Sequence, residues 1–171
     1  RSPQTRRAIR RAIRAVRPEC LVVYDVNLRQ HFYQRAGVEA SLAMSRIVKL
    51  NADEAAELDK LLGLGSPDHV GFAQAVQQRF GVDTVCITRA EQGSLLVGRG
   101  EVVDSPGVPV QVADAVGAGD AFTAALILGQ LRGWALDRQA SFANAAGAMV
   151  AGRPGAMPVL CDEFARLACE T

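Results

Sequence analysis

Two aspartates six residues apart bracket a glycine-rich turn in Val112-Ala-Asp114-Ala-Val-Gly117-Ala-Gly119-Asp120-Ala-Phe122. The order of residue types reads as a strand that ends, a small-residue turn, and a long alanine-rich helix. At such a junction the first helical N–H groups lack intrahelical partners, and the helix dipole adds positive potential. Glycines at 117 and 119, with Ala118 between them, let an anion approach the backbone closely. The turn therefore suits a phosphate, or a phosphoryl group in transfer. A carboxylate at Asp120 would repel a phosphate that is merely held. It makes sense if it takes a proton from a hydroxyl that attacks the phosphoryl group.

Other glycine-rich turns are excluded by residues that are absent. A Walker A loop needs Gly-Lys-Ser/Thr, and neither Lys49 nor Lys60 lies near such a turn. A dinucleotide fingerprint needs a third glycine where Phe122 stands. The plain structural alternative is a tight turn whose Asp only caps the helix. A lone Gly-x-Gly supports no more than that, whereas the whole string with Asp at both ends is far more specific.

The elements that must position this turn follow from the apolar pattern. Residues 5–17 are predicted as an amphipathic helix closed by Pro18, with Ile9, Ala12, Ile13 and Val16 as one stripe. Cys20–Asp25 and Ile47–Leu50 are continuously apolar, as strands buried on both faces are. Weak helical character runs from Val38 to Arg46. Helices are predicted over Ala52–Leu62, ending near Gly63, and over Asp68–Phe80 with Gly81 as its C-cap. Val82–Thr88 reads as a third strand, and Ser94–Val97 with Glu101–Val103 as a hairpin around Gly98-Arg-Gly100. Val108–Val112 is predicted as a strand entering the glycine turn. Helices at about Ala118–Arg132, Leu136–Ala151 and Cys161–Cys169 complete the chain. Strands alternating with helices imply one α/β domain over residues 1–171, with a mostly parallel sheet between helical layers.

Composition narrows the function classes. With 171 residues, 49% hydrophobic and 22% charged, the chain is ordinary for a globular domain. A net charge of +1 argues for neither nucleic acid nor an acidic membrane surface as partner. Seven arginines fall within the first 17 residues without an acid, but the apolar stripe places them on a solvated helix face. Cys20, Cys86, Cys161 and Cys169 show no CxxC or Cys/His metal spacing, and Cys20 and Cys86 sit in strand-like runs as small core residues. A reduced, cytoplasmic setting is expected. No apolar run approaches the ~18 residues of a membrane span. His31 and His69 are expected to face solvent. The chain opens on Arg1 rather than Met, from which a missing upstream part is expected.

The turn resembles the second signature of the ribokinase-like (PfkB) carbohydrate kinases, and four further segments agree with that family in order and spacing. Asp25-Val-Asn27-Leu-Arg29 resembles its Asp-x-Asn-x-Arg segment, and Asn51-Ala-Asp-Glu54 its Asn-x-x-Glu motif. Thr88-Arg-Ala-Glu-Gln-Gly93 resembles its Thr-x-Gly-x-x-Gly segment. Asn144-Ala-Ala-Gly-Ala-Met with Gly155-Ala-Met-Pro158 resembles the segment flanking adenine and a monovalent-cation loop. Ala115 stands in place of the family's usual Thr, and Ala90 in place of the first Gly of the Thr-x-Gly segment. The implied fold is a three-layer α/β/α sandwich lacking its N-terminal strands and lid.

The resemblance implies a role for each matched residue. Asp120 would be the general base at the sugar hydroxyl, with the N–H groups of Gly117, Ala118 and Gly119 as anion hole. Asn51 and Glu54 would place Mg²⁺ through its hydration shell; read alone, they are a helix cap. Thr88 and Gly93 would line the phosphates and ribose of ATP. Asn144 would lie beside adenine, although Asn on a helix is often a surface residue. Asp114 would bind K⁺ together with carbonyls at Val116, Val150, Arg153 and Gly155; the alternative is a buried carboxylate capping the turn. Arg29 would reach the sugar or stand exposed in a salt bridge.

The expected reaction is ATP-dependent phosphorylation of fructose or a related hexose or sugar acid, since residues 25–33 look closest to fructokinase-like members. A ribose or nucleoside kinase of the same family and a non-catalytic nucleotide-binding module are the alternatives. Sugar and ATP are the expected partners, with no nucleic acid or membrane. The resemblance also implies a homodimer of the longer protein, and little activity from these residues alone.

Overall fold

The computed structural model describes residues 2–16, 19–30 and 32–170. Seven helices and five strands are assigned among them: α1 Pro3–Ala15, β1 Val23–Asp25, α2 Arg35–Leu42, β2 Ile47–Asn51, α3 Ala52–Leu62, α4 His69–Phe80, β3 Thr84–Thr88, β4 Ser94–Val97, β5 Val102–Ser105, α5 Ala118–Leu131, α6 Leu136–Ala151 and α7 Cys161–Glu170. A short 3₁₀ turn, Ala90–Gln92, follows β3. The strands form one mixed, mostly parallel sheet in the order β1-β2-β3-β4-β5, flanked by helices. Two compact units divide the chain at residues 85/86, inside β3.

In the first unit β1 pairs in parallel with β2, Val23 opposite Ile47 and Asp25 opposite Lys49. The buried run of β2, with Leu42, Leu58, Leu62 and Val76, forms this unit's core. Asn51 ends β2 and caps α3. Its Oδ1 accepts from Glu54 N at 2.8 Å while Glu54 Oε2 accepts from Asn51 N at 2.9 Å, which satisfies two otherwise orphaned donors. Gly63 and Gly81, both left-handed, end α3 and α4 where the sequence placed those ends.

Several expectations about this unit change. α1 begins at Pro3, because Ser2 accepts from Thr5 N as N-cap, and it ends at Ala15. The predicted stop at Pro18 lies outside the described residues, as does His31. The stripe of α1 is only partly covered, with Ile9 and Val16 43% and 45% exposed. β1 is three residues long and half-buried instead of fully buried, since it stands at the end of the sheet order. Cys20 precedes it and is exposed, so it is no core residue. His69 is half-buried at the start of α4 rather than open to solvent.

In the second unit β4 and β5 form the expected antiparallel hairpin, Val97 opposite Val102. α5 packs along α6; Ala125 and Gly129 are buried on α5, and Ala140, Ala143 and Ala146 on α6. The predicted strand Val108–Val112 is absent. Pro106 and Pro109 remove two N–H donors, and Val108, Val110 and Val112 are exposed. The segment instead ends on Ala151, whose carbonyl accepts from Ala113 N at 2.8 Å and Asp114 N at 3.2 Å. No described helix is long and apolar enough to cross a membrane.

Candidate active site

The glycine turn opens α5 through Gly117, which adopts φ +87° at the N-cap. That backbone region excludes most side chains, and a Cβ there would lie 2.1 Å from Ala156 O. The 153–157 loop is therefore seated directly on the turn. Asp114 ties the same two segments together: its Oδ1 accepts from Val116 N at 3.0 Å and its Oδ2 from Gly155 N at 3.3 Å. Asp114 thus makes the hydrogen bonds of a turn cap and reaches a second loop, but it is half-buried rather than buried. Each oxygen keeps acceptor capacity, so the carboxylate also fits a cation. The Val150 carbonyl is committed locally, accepting from Arg153 N at 3.0 Å and from Gly152 N.

Asp120 is exposed in the first turn of α5, beside exposed Gly119. Of the three N–H groups expected to face an anion, that of Ala118 donates to Ala115 O over 3.3 Å. Thr123 Oγ1 donates to Gly119 O at 2.9 Å and steadies the first turn of the helix. On α6, a Cβ at Gly147 would stand 3.2 Å from Ala118 O, so a small residue there lets α6 approach the start of α5.

Thr88 ends β3, and Gly93 closes the loop after it with φ +89°. Asn144, far from being a surface residue, is buried on α6, and its Nδ2 donates toward Ser105 and Pro106. The sequence offered no sign of the pairing between Arg89 and Asp104, in which Nη1 donates to Oδ2 at 3.1 Å and Nη2 to Oδ1. The hydrogen bond from Arg89 holds the Asp104 carboxyl below its ordinary range, outweighing the opposing effect of burial.

In the first unit, Glu54 does more than close the capping box. Its Oε1 accepts from Leu28 N at 3.2 Å, tying the Asn27–Arg29 loop to the start of α3. Arg29 is exposed and donates through Nε to Asn27 Oδ1 at 2.9 Å. Asp25 accepts from Lys49 Nζ at 3.1 Å, an ion pair between neighbouring strands that no local residue pattern signals. Burial, and then the charge of Glu54, raise the Tyr24 hydroxyl above its ordinary value of 10.0. No group of three or more His, Cys, Asp or Glu side chains able to hold a metal occurs among the described residues. A Mg²⁺ that keeps its waters needs only one or two protein carboxylates; here Glu54 is the carboxylate, and each of its oxygens already accepts one backbone N–H and keeps acceptor capacity.

A mostly parallel sheet flanked by helices, with a left-handed glycine turn opening a helix, defines a ribokinase-like α/β domain. The chain belongs to the pfkB family of carbohydrate kinases, whose profile matches residues 3–161. It is 33% identical over 119 residues to the bifunctional protein HldE of Helicobacter pylori (strain J99), covering 68% of this chain and 26% of that one. It is 33% identical over 149 residues to the aminoimidazole riboside kinase of Salmonella typhimurium, covering 81% and 45%. The 2-dehydro-3-deoxygluconokinase of Thermotoga maritima shares its fold with a TM-score of 0.80 at 23% identity, over 98% of this chain and 56% of that chain. A candidate ribokinase II from E. coli in complex with ATP and Mg²⁺ also gives 0.80 at 23%, over 99% and 56%. The chain thus spans about a quarter to a half of the curated relatives it matches.

Proposed function

We propose that this chain supplies the nucleotide-handling part of an ATP-dependent kinase that phosphorylates a sugar hydroxyl. The observation that carries the reading is the turn itself: a left-handed Gly117 locked under Ala156 O, with a free-standing carboxylate three residues on at Asp120. When bound, Mg²⁺-ATP supplies the phosphoryl group and neutralises part of its charge. Asp120 takes the proton of the acceptor hydroxyl. The N–H groups of Gly117 and Gly119, joined by that of Ala118 once it leaves Ala115 O, face the anion. Thr88 and Gly93 line the phosphates, and Asn51 and Glu54 orient the hydration shell of Mg²⁺. Asp114 and the carbonyls of Val116, Val150, Arg153 and Gly155 would hold K⁺, which would supply a fixed positive charge beside the turn. Arg29 contacts the sugar.

Fructose or a related hexose or sugar acid is the substrate proposed, from the Asp25–Tyr33 stretch. A nucleoside is the second reading, favoured by the similarity to a kinase named for a riboside. A cytoplasmic setting and a homodimer of the longer protein accompany the proposal. The test is Asp120→Asn in the longer protein. Turnover should vanish while Mg²⁺-ATP still binds in calorimetry, and near-normal turnover would overturn the assignment. The residues described here, purified alone, should show little or no kinase activity.

A further inference from the structure

Asn144 is 8% exposed and is one of two polar residues, with Gln139, among the buried residues of α6. Its Nδ2 stands 3.3 Å from Ser105 O, 3.0 Å from Ser105 Oγ and 3.1 Å from Pro106 O. An amide nitrogen carries two hydrogens, so three acceptors share two bonds, and all three belong to the exit of β5. That exit is pressed against the loop that follows β3. A Cβ on Gly93 would lie 2.2 Å from Ser105 O, and one on Gly107 would lie 2.2 Å from Glu91 O. The Arg89–Asp104 pair bridges the same two segments. Two backbones in this close a contact move together, so the place of residues 105–107 sets that of residues 89–93.

The same face of α6 also governs the glycine turn. Gly147 is three residues beyond Asn144, and residues three apart are neighbours on a helix surface. Its Cα is where α6 meets Ala118 O. One helix face therefore touches both the support of the Thr88–Gly93 loop and the start of α5.

We propose that Asn144 is a positioning residue: through Ser105–Gly107 it fixes the Thr88–Gly93 loop relative to the α5 turn. The inference rests on the kinase reading above, and it gives Asn144 a task that requires no contact with adenine. The amide is the natural group for it, because the task needs a buried double donor without charge.

Hydrogen–deuterium exchange and Mg²⁺-ATP calorimetry on the longer protein test this together. Asn144→Ala should raise exchange in residues 88–93 and 105–107 by about tenfold, leave residues 119–123 unchanged, and weaken Mg²⁺-ATP about tenfold with a smaller change in kcat. Gly107→Ala should reproduce the pattern, because its Cβ pushes on Glu91 without touching the amide. It carries the test if Asn144→Ala does not fold. Unchanged exchange in residues 88–93 overturns the proposal, and weaker ATP binding with unchanged exchange does so in favour of direct contact. If the wild-type protein binds no ATP, the kinase reading falls, while exchange still decides whether Asn144 holds the loop.

Discussion

The carbonyl oxygen of Ala156 stands 2.1 Å from where a Cβ on Gly117 would be. The φ of +87° at Gly117 forbids most side chains on its own account, so two independent constraints meet at one residue. Gly117→Ala should therefore cost about 2 kcal/mol or more of stability and lower phosphoryl transfer by about two orders of magnitude. Denaturant unfolding and an ATP-coupled assay of the longer protein measure the two effects. Wild-type values in both would show that the turn is more pliable than this contact implies.

Ala90 holds φ +51° after β3, a left-handed backbone for a residue with a Cβ. The strain is worth about 1 kcal/mol and is partly offset by the flexibility glycine adds to the unfolded chain. Ala90→Gly should stabilise by about 0.5 kcal/mol and raise Tm by about 1–2 °C. A lower Tm would mean that the loop relaxes in solution.

The Asp104 carboxyl is held below its ordinary 3.8 by the Arg89 hydrogen bond. A depressed pKa contributes stability that is whole above the unfolded value and is lost as pH falls through the folded one. The contribution is small and weakened by salt, since the Asp104 side chain is 64% exposed. Asp104→Asn should lose less stability than the wild type between about pH 5 and pH 2 in urea titrations at low salt. Parallel curves would exclude the pair as a source of acid sensitivity.

Tyr24 acts at the other limit. Burial, and then Glu54, raise its pKa above 10.0, so the folded state keeps a proton that the unfolded state gives up. Its contribution is whole below about pH 10 and is lost as pH rises through the raised value. Tyr24→Phe should flatten the alkaline decline in stability, read from melts at pH 9 to 11. An unaltered decline would assign it to other groups.

Local rules carried much of the fold. Ala52–Leu62 with its Gly63 stop, the Asn51/Glu54 pair, Leu136–Ala151 and the Ser94–Val97 hairpin arm could be read because each depends on neighbours a few residues away. The five motif segments could be read for the same reason, and they led to the family that the profile match establishes. The failures involve distant partners. Val108–Val112 has strand-like composition but finds no neighbouring strand, and the apolar run at Cys20 lies beside a half-buried end strand.

By itself, then, the sequence determined the glycine turn between Asp114 and Asp120, the helix it opens, and the family to which its motifs belong. A glycine, a cap or a helical period acts within one or two turns of chain. Only the tertiary structure decided what presses on that turn and what supports the loop beside it. Ala156 against Gly117, Gly155 on Asp114, Arg89 with Asp104 and Asn144 under Ser105 join residues between 15 and 41 positions apart. Such pairs are set by how helices and strands stack, and no local pattern of residue types encodes that stacking.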